Sequence, residues 1–150
     1  MAKARHNPDP THIAFLATEI RAFYSRLKRK LRDQALSRGL SGPQVLVLGR
    51  LGRAGEATVT SLALEEGMRP QSMGAIITAL ADAGLVRRTP DPRDGRQSIL
   101  SLTENGVAWL QATQAAHHDW LINAIETRLS AEEQKELGSA VELLKRLVEL

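Results

Sequence analysis

A mainly α-helical fold carrying one small β-hairpin is what this sequence predicts, on three observations. Aromatic residues make up only 3% of the 150 residues while Ala and Leu are plentiful, which favours helices packed through aliphatic stripes over a sandwich rich in aromatic and β-branched side chains. Apolar residues recur at helical spacing along most of the chain. The exception is the stretch around residues 85–102, where the helical spacing is lost at Leu85 to Thr89 and, after a Pro, Asp and Gly-rich turn, Ser98 to Leu102 alternate polar and apolar residues. With 43% apolar and 25% charged residues, the composition is that of an ordinary folded chain of single-domain length.

The elements follow in order. Asp9-Pro10 sets a good N-cap before a proline tolerated at the first helical position, and Ile13, Leu16, Ile20, Phe23, Tyr24, Leu27 and Leu31 then mark a long first helix to about Arg38, stopped by Gly39. Ser41 caps a short second helix, with Pro43 in its first turn and Val45, Leu46, Leu48 and Leu51 as its apolar positions, until Ala54-Gly55. Thr60 stands as the cap of a third helix, with Leu62 and Ala63, that breaks at Gly67. Pro70 opens a fourth with Met73, Ile76, Ile77 and Leu80 inside. Leu85 to Thr89 and Ser98 to Leu102 form the hairpin. Thr103 caps a fifth helix bearing Val107, Leu110, Leu121, Ile125 and Leu129, and Ser130-Ala131-Glu132-Glu133 is a capping box opening a sixth with Leu137, Val141, Leu144 and Val148. The expected order is α-α-α-α-β-β-α-α.

Several function classes are excluded. The chain has no cysteine, which removes disulfides, thiolate zinc sites and thiol nucleophiles. There is no Gly-rich phosphate loop, no His-Glu-x-x-His and no Gly-x-Ser-x-Gly, and the pairs Glu65-Glu66 and Glu132-Glu133 are explained by solvation and capping, so no catalytic residue is assigned and the chain is not expected to be an enzyme. Apolar runs fall far short of the ~18 residues needed to cross a membrane, and a cytoplasmic protein with no membrane partner is expected. The net charge of +3 is unevenly spread: nine Lys/Arg face three Asp/Glu over residues 1–40, seven face six over 41–102, and four face eight over 103–150. Any surface for a polyanion therefore belongs to the first two thirds.

The unit around Gly67 fits a helix-turn-helix. Ala63 is small where two helices approach, Gly67 supplies the backbone freedom of the turn, and Met73 and Ile76 point inward from the second helix. Its opposite face would then meet a major groove with Arg69, Gln71, Ser72 and Thr78, although any αα-hairpin uses similar spacing. Directly afterwards, Asp91-Pro92-Arg93-Asp94-Gly95-Arg96 sets two arginines at a hairpin tip. Such an arginine can enter a minor groove with Asp94 bracing Arg96, against the simpler reading of a solvated turn.

The order of elements, this loop, and Leu102-Thr103-Glu104-Asn105-Gly106 after the second strand resemble the MarR (multiple antibiotic resistance regulator) family of winged helix-turn-helix transcription factors. The resemblance covers nearly the whole chain. It implies a homodimer whose N- and C-terminal helices interlock, with residues 1–40 and 103–150 as the dimerisation region and 41–102 as the DNA-binding lobe. It further implies that the fourth helix enters a major groove and the wing the adjacent minor groove, with Asp94 paired to the DNA-contacting Arg96. The expected function is a sequence-specific regulator of double-stranded DNA, a ligand-relieved repressor on a pseudo-palindromic operator. Gly74 and Ala75 leave the reading helix few base-contacting side chains. Gly74 reflects close backbone approach to DNA or, equally, a tight helix–helix contact, and shape and phosphate contacts should supply much of the binding. That thin inventory also motivates a second reading, a dimeric adaptor that has lost DNA binding.

No cofactor is required on this reading, but the resemblance implies a small aromatic or anionic effector held between the dimerisation helices and the DNA-binding lobe. Gln114, His117 and His118 interrupt the apolar stripe of the fifth helix and are the candidates to line that cleft, against the blander reading of satisfied interface histidines. His117 and His118 stand about 100° apart on a helix and His6 and His12 lie far off in sequence, so no metal site is assigned. The run Arg26 to Arg32 is the densest positive charge. It suits flanking phosphates, the acidic C-terminal third of a partner, or solvent.

Overall fold

The computed structural model describes residues 9–36 and 38–149. Six helices and three strands follow one another: α1 (Pro10–Leu36), α2 (Gly42–Ala54), β1 (Glu56–Thr58), α3 (Val59–Glu65), α4 (Pro70–Asp82), β2 (Val86–Pro90), β3 (Ser98–Leu102), α5 (Glu104–Arg128) and α6 (Ala131–Val148). The mainly helical expectation holds, and its boundaries are set by local chemistry. Ser41 and Ser130 each close a reciprocal capping box with the residue three positions on, Gln44 and Glu133. The Thr103 hydroxyl accepts from the Gly106 N–H at 3.0 Å to start α5. These caps satisfy amide donors that a helix start leaves without partners.

Three expectations need correction. The first helix ends at Leu36, earlier than Arg38. The third is capped by Thr58, not Thr60, because Thr58 and Ser61 form a capping box that starts two residues earlier in the chain. Between α2 and α3 lies β1, a strand the expected order lacked. It pairs antiparallel with β3, Ala57 opposite Leu100, while β2 pairs on the other side with Val86 opposite Leu102, so the sheet order is β1-β3-β2. Three residues are too few to display an alternating pattern, and the strand exists because β3 offers it an edge.

The core lies within the central lobe. Leu48, Leu51, Leu62, Ala63, Met73, Ile77, Leu80 and Leu100 are fully buried, joined by Val47 and Val86. In α2 it is Val47 that points inward, while Leu46 is 39% exposed. The outer helices contribute little to this core: Ala35 is the one buried residue of α1, and no described residue of α6 is buried. Instead Ile13, Leu16, Ile20, Phe23 and Tyr24 of α1 and Leu137, Val141, Leu144, Leu147 and Val148 of α6 lie exposed. Among the described residues no helix is long and apolar enough to cross a membrane.

Candidate nucleic-acid interface

The turn between α3 and α4 is set by Gly67, whose φ of 62° lies in the left-handed region that glycine adopts freely. The Met68 N–H reaches back to the Ala63 carbonyl at 2.8 Å, and Ala63 is fully buried where the two helices meet. With Met73, Ile77 and Leu80 anchored in the core, the other face of α4 is left to solvent. Arg69, Gln71, Ser72 and Thr78 all lie there, exposed. Arg69 is the N-cap residue of α4, and its side chain makes no capping hydrogen bond. The helix start therefore presents free amide donors and a partial positive charge beside a cation.

A tight helix contact does not explain Gly74. A Cβ there would meet no neighbouring heavy atom within 4 Å, so that explanation is withdrawn. Thr78 is engaged on both sides: its hydroxyl donates to the Gly74 carbonyl and accepts from Arg88 Nη2, each at 2.9 Å. Arg88 was missed in the sequence. The only signal was its place on β2 one residue after Arg87, which bonds instead to Ser101 Oγ at 2.9 Å on the other face of the sheet.

The wing tip is built by two aspartates. Asp91 Oδ1 accepts from the Arg93 N–H at 2.8 Å and Asp94 Oδ1 from the Arg96 N–H at 3.1 Å, while the Asp91 N–H bonds the Gln97 carbonyl at 3.0 Å. Asp94 thus braces the backbone of Arg96 rather than its guanidinium. Among the described residues, the ion pairs are Arg50 with Glu65 and Glu66, and Lys145 with Glu142. None involves Arg93 or Arg96, whose exposed charges are left for an outside anion. Arg50 Nε lies 2.7 Å from Glu66 Oε1, and the Glu66 side chain is only 13% exposed. That corrects the solvated reading for Glu66, which ties the end of α3 to α2, while Glu65 stays half exposed at the helix end, 3.6 Å from Arg50.

A second site lies between α1, α2 and α5. A cleft of about 330 Å³ is walled by Val45, Leu46, Trp109 and Leu110, with Lys28, Arg32 and Arg53 around it. Gln114 and His117 both line it; His118 is exposed and does not. His117 Nε2 is buried and has no hydrogen-bond partner, whereas the buried Thr113 is satisfied by the Trp109 carbonyl at 2.9 Å. Lys28 and Arg32 were legible only as part of the basic run, in which they share one helix face four residues apart, and Arg53 carried no signal of its own. Among the described residues no cluster of three His, Asp or Glu gathers to hold a metal; His6 lies outside them.

This arrangement is shared with known proteins. Residues 38–97 match the sequence model of the MarR family. Over 136 residues, 91% of this chain and 94% of the relative, the sequence is 38% identical to a helix-turn-helix-type transcriptional regulator of Mycobacterium tuberculosis. The chain belongs to the MarR family of winged-helix transcriptional regulators. Among solved structures, a transcriptional regulator of Pseudomonas aeruginosa superposes with a TM-score of 0.76 at 29% identity, covering 95% of this chain and 99% of its own. Staphylococcus aureus MepR, in a mutant bound to an oligodeoxyribonucleotide, shares the MarR-type fold with a TM-score of 0.68 at 18% identity, covering 89% of this chain and 98% of its own.

Proposed function

We propose that this MarR-family regulator binds double-stranded DNA as a homodimer, each subunit reading one half of a pseudo-palindromic operator, and that it represses until a small ligand releases it. The carrying observation is the pair of arginines, Arg93 and Arg96, held unneutralised at the wing tip beside the exposed face of α4. A fold of the same type with an oligodeoxyribonucleotide bound, in MepR, supports DNA as the partner. The exposed apolar faces of α1 and α6, with a cavity of about 590 Å³ lined by Leu16, Ile20, Leu143, Leu144 and Leu147, support a second copy as their cover. Two reading helices must then sit about 34 Å apart to meet one turn of duplex.

The cleft around His117 suits the effector. Its apolar walls and three cations favour a small aromatic carboxylate, with the free Nε2 of His117 as a polar contact. A ligand preferring the subunit spacing that misfits DNA lowers DNA affinity by its preference between the two spacings. The test is fluorescence anisotropy on the duplex upstream of the protein's own gene and on a shuffled duplex, across a salt series and with aromatic carboxylates added. Tight, salt-steep and selective binding, relieved by a carboxylate, is the expected result. Absence of binding to either duplex would favour the adaptor reading, since an adaptor has no counterion-release term.

A further inference from the structure

We infer that Arg88 contacts the DNA backbone from the seam between the reading helix and the wing, and that Thr78 positions it rather than reading a base; this rests on the DNA-binding reading above. The hydroxyl of Thr78 is engaged twice within the protein. A threonine has one proton to donate, and here it goes to the Gly74 carbonyl at 2.9 Å. One of its lone pairs receives Arg88 Nη2, also at 2.9 Å. Nothing is left to donate to the acceptor atoms that a major groove displays. Thr78 faces outward from α4, but its one proton is spent inside the protein and one of its two acceptor positions is taken by Arg88.

Arg88 gains what Thr78 gives up. It stands opposite the buried Leu100 on β2, two residues beyond the buried Val86 on the same side of the sheet, so its side chain leaves the core beside α4. It is exposed, and among the described residues no carboxylate pairs with it. A guanidinium carries five N–H donors, and the bond to Thr78 uses one. The remaining donors and the full charge are held by a side chain already ordered, which lowers the entropy lost on meeting a phosphate. A helix in one groove and a wing in the next straddle the strand that separates those grooves. A cation fixed between helix and wing faces that strand, and its contact is with phosphate, common to every sequence.

Arg88→Gln, Arg88→Lys, Thr78→Val and the double variant Thr78→Val/Arg88→Gln test this by anisotropy on the upstream and shuffled duplexes over a salt series, with thermal melting alongside. Arg88→Gln should lose about tenfold in affinity on both duplexes and flatten the log–log salt slope by about one per subunit. Arg88→Lys should keep the slope and lose part of the affinity. Thr78→Val should weaken both duplexes by the same factor and add nothing in the Arg88→Gln background. An unchanged slope in Arg88→Gln, with wild type binding normally, would overturn the contact. A loss in Thr78→Val confined to the upstream duplex and additive with Arg88→Gln would overturn the positioning role and make Thr78 a base reader. Wild type binding neither duplex would overturn the DNA-binding reading, and this inference with it. Should Arg88→Gln melt early, Thr78→Val and Arg88→Lys still decide through affinity: an equal loss on both duplexes supports the contact, and unchanged affinity in both variants overturns it.

Discussion

The Cα of Gly106 lies against the Leu85 carbonyl so closely that a methyl group on it would overlap that oxygen. The same carbonyl accepts the Thr103 N–H at 3.1 Å, and the Thr103 hydroxyl donates to the Gly84 carbonyl. The start of α5 is therefore clamped to the start of β2, which fixes the DNA-binding lobe to the helix that leads away from it. Gly106→Ala must push these two backbones apart, and overpacking of this kind costs about 1–3 kcal/mol. A melting temperature several degrees below wild type is expected. A melting curve matching wild type would show that α5 can shift without loss.

Gly74 makes the opposite prediction for stability. Nothing in the protein opposes a side chain there, and Ala gains about 1 kcal/mol of helix propensity over Gly. Gly74→Ala should therefore raise the melting temperature by a few degrees. If the bare backbone at Gly74 lies close to DNA, the same change weakens operator binding while stabilising the protein. Melting and anisotropy on one sample separate the two effects, and unweakened binding would end the close-approach explanation.

Much of this was legible in the sequence because it was written locally. Ser41, Thr103 and Ser130 cap helices through atoms three residues away, and Gly67 marks its turn by its own backbone freedom. What escaped depends on partners distant along the chain. β1 needs the edge of β3, more than forty residues later. The Arg50 to Glu66 pair joins two helices, and Arg88 reaches Thr78 from another element. Thr60 has the residue type of a cap, and only the capping box that Thr58 makes with Ser61 moves the start of α3 ahead of it. In the cleft, Gln114 and His117 interrupted a stripe and could be suspected, while Lys28, Arg32 and Trp109 joined them only once α1 and α5 were packed.

Leu144 reports on the surface that a second copy would cover. It lies on α6, 39% exposed, beside Leu16 and Ile20 of α1 around the apolar cavity. Leu144→Asp would bury a charge in a dimer seam, among the costliest of single substitutions. Light scattering should show monomer or aggregate where wild type gives a dimer. A stable dimer would place the subunit interface elsewhere.

Arg96 separates binding from folding. Its guanidinium meets no carboxylate among the described residues, and what Asp94 holds is its backbone N–H, which any residue supplies. Arg96→Ala therefore leaves the Asp94 turn intact and should melt like wild type, because exposed substitutions away from special contacts fall within about 0.5 kcal/mol. DNA affinity should fall, with a salt slope shallower by about one per subunit if the lost contact is to phosphate. Asp94→Ala should act differently, removing the acceptor that shapes the tip, so that affinity falls through misplacement of Arg96 while the chain keeps every basic residue. Equal affinity for wild type and Arg96→Ala, with superimposable melting curves, would remove the wing tip from the interface and leave α4 and Arg88 to carry it.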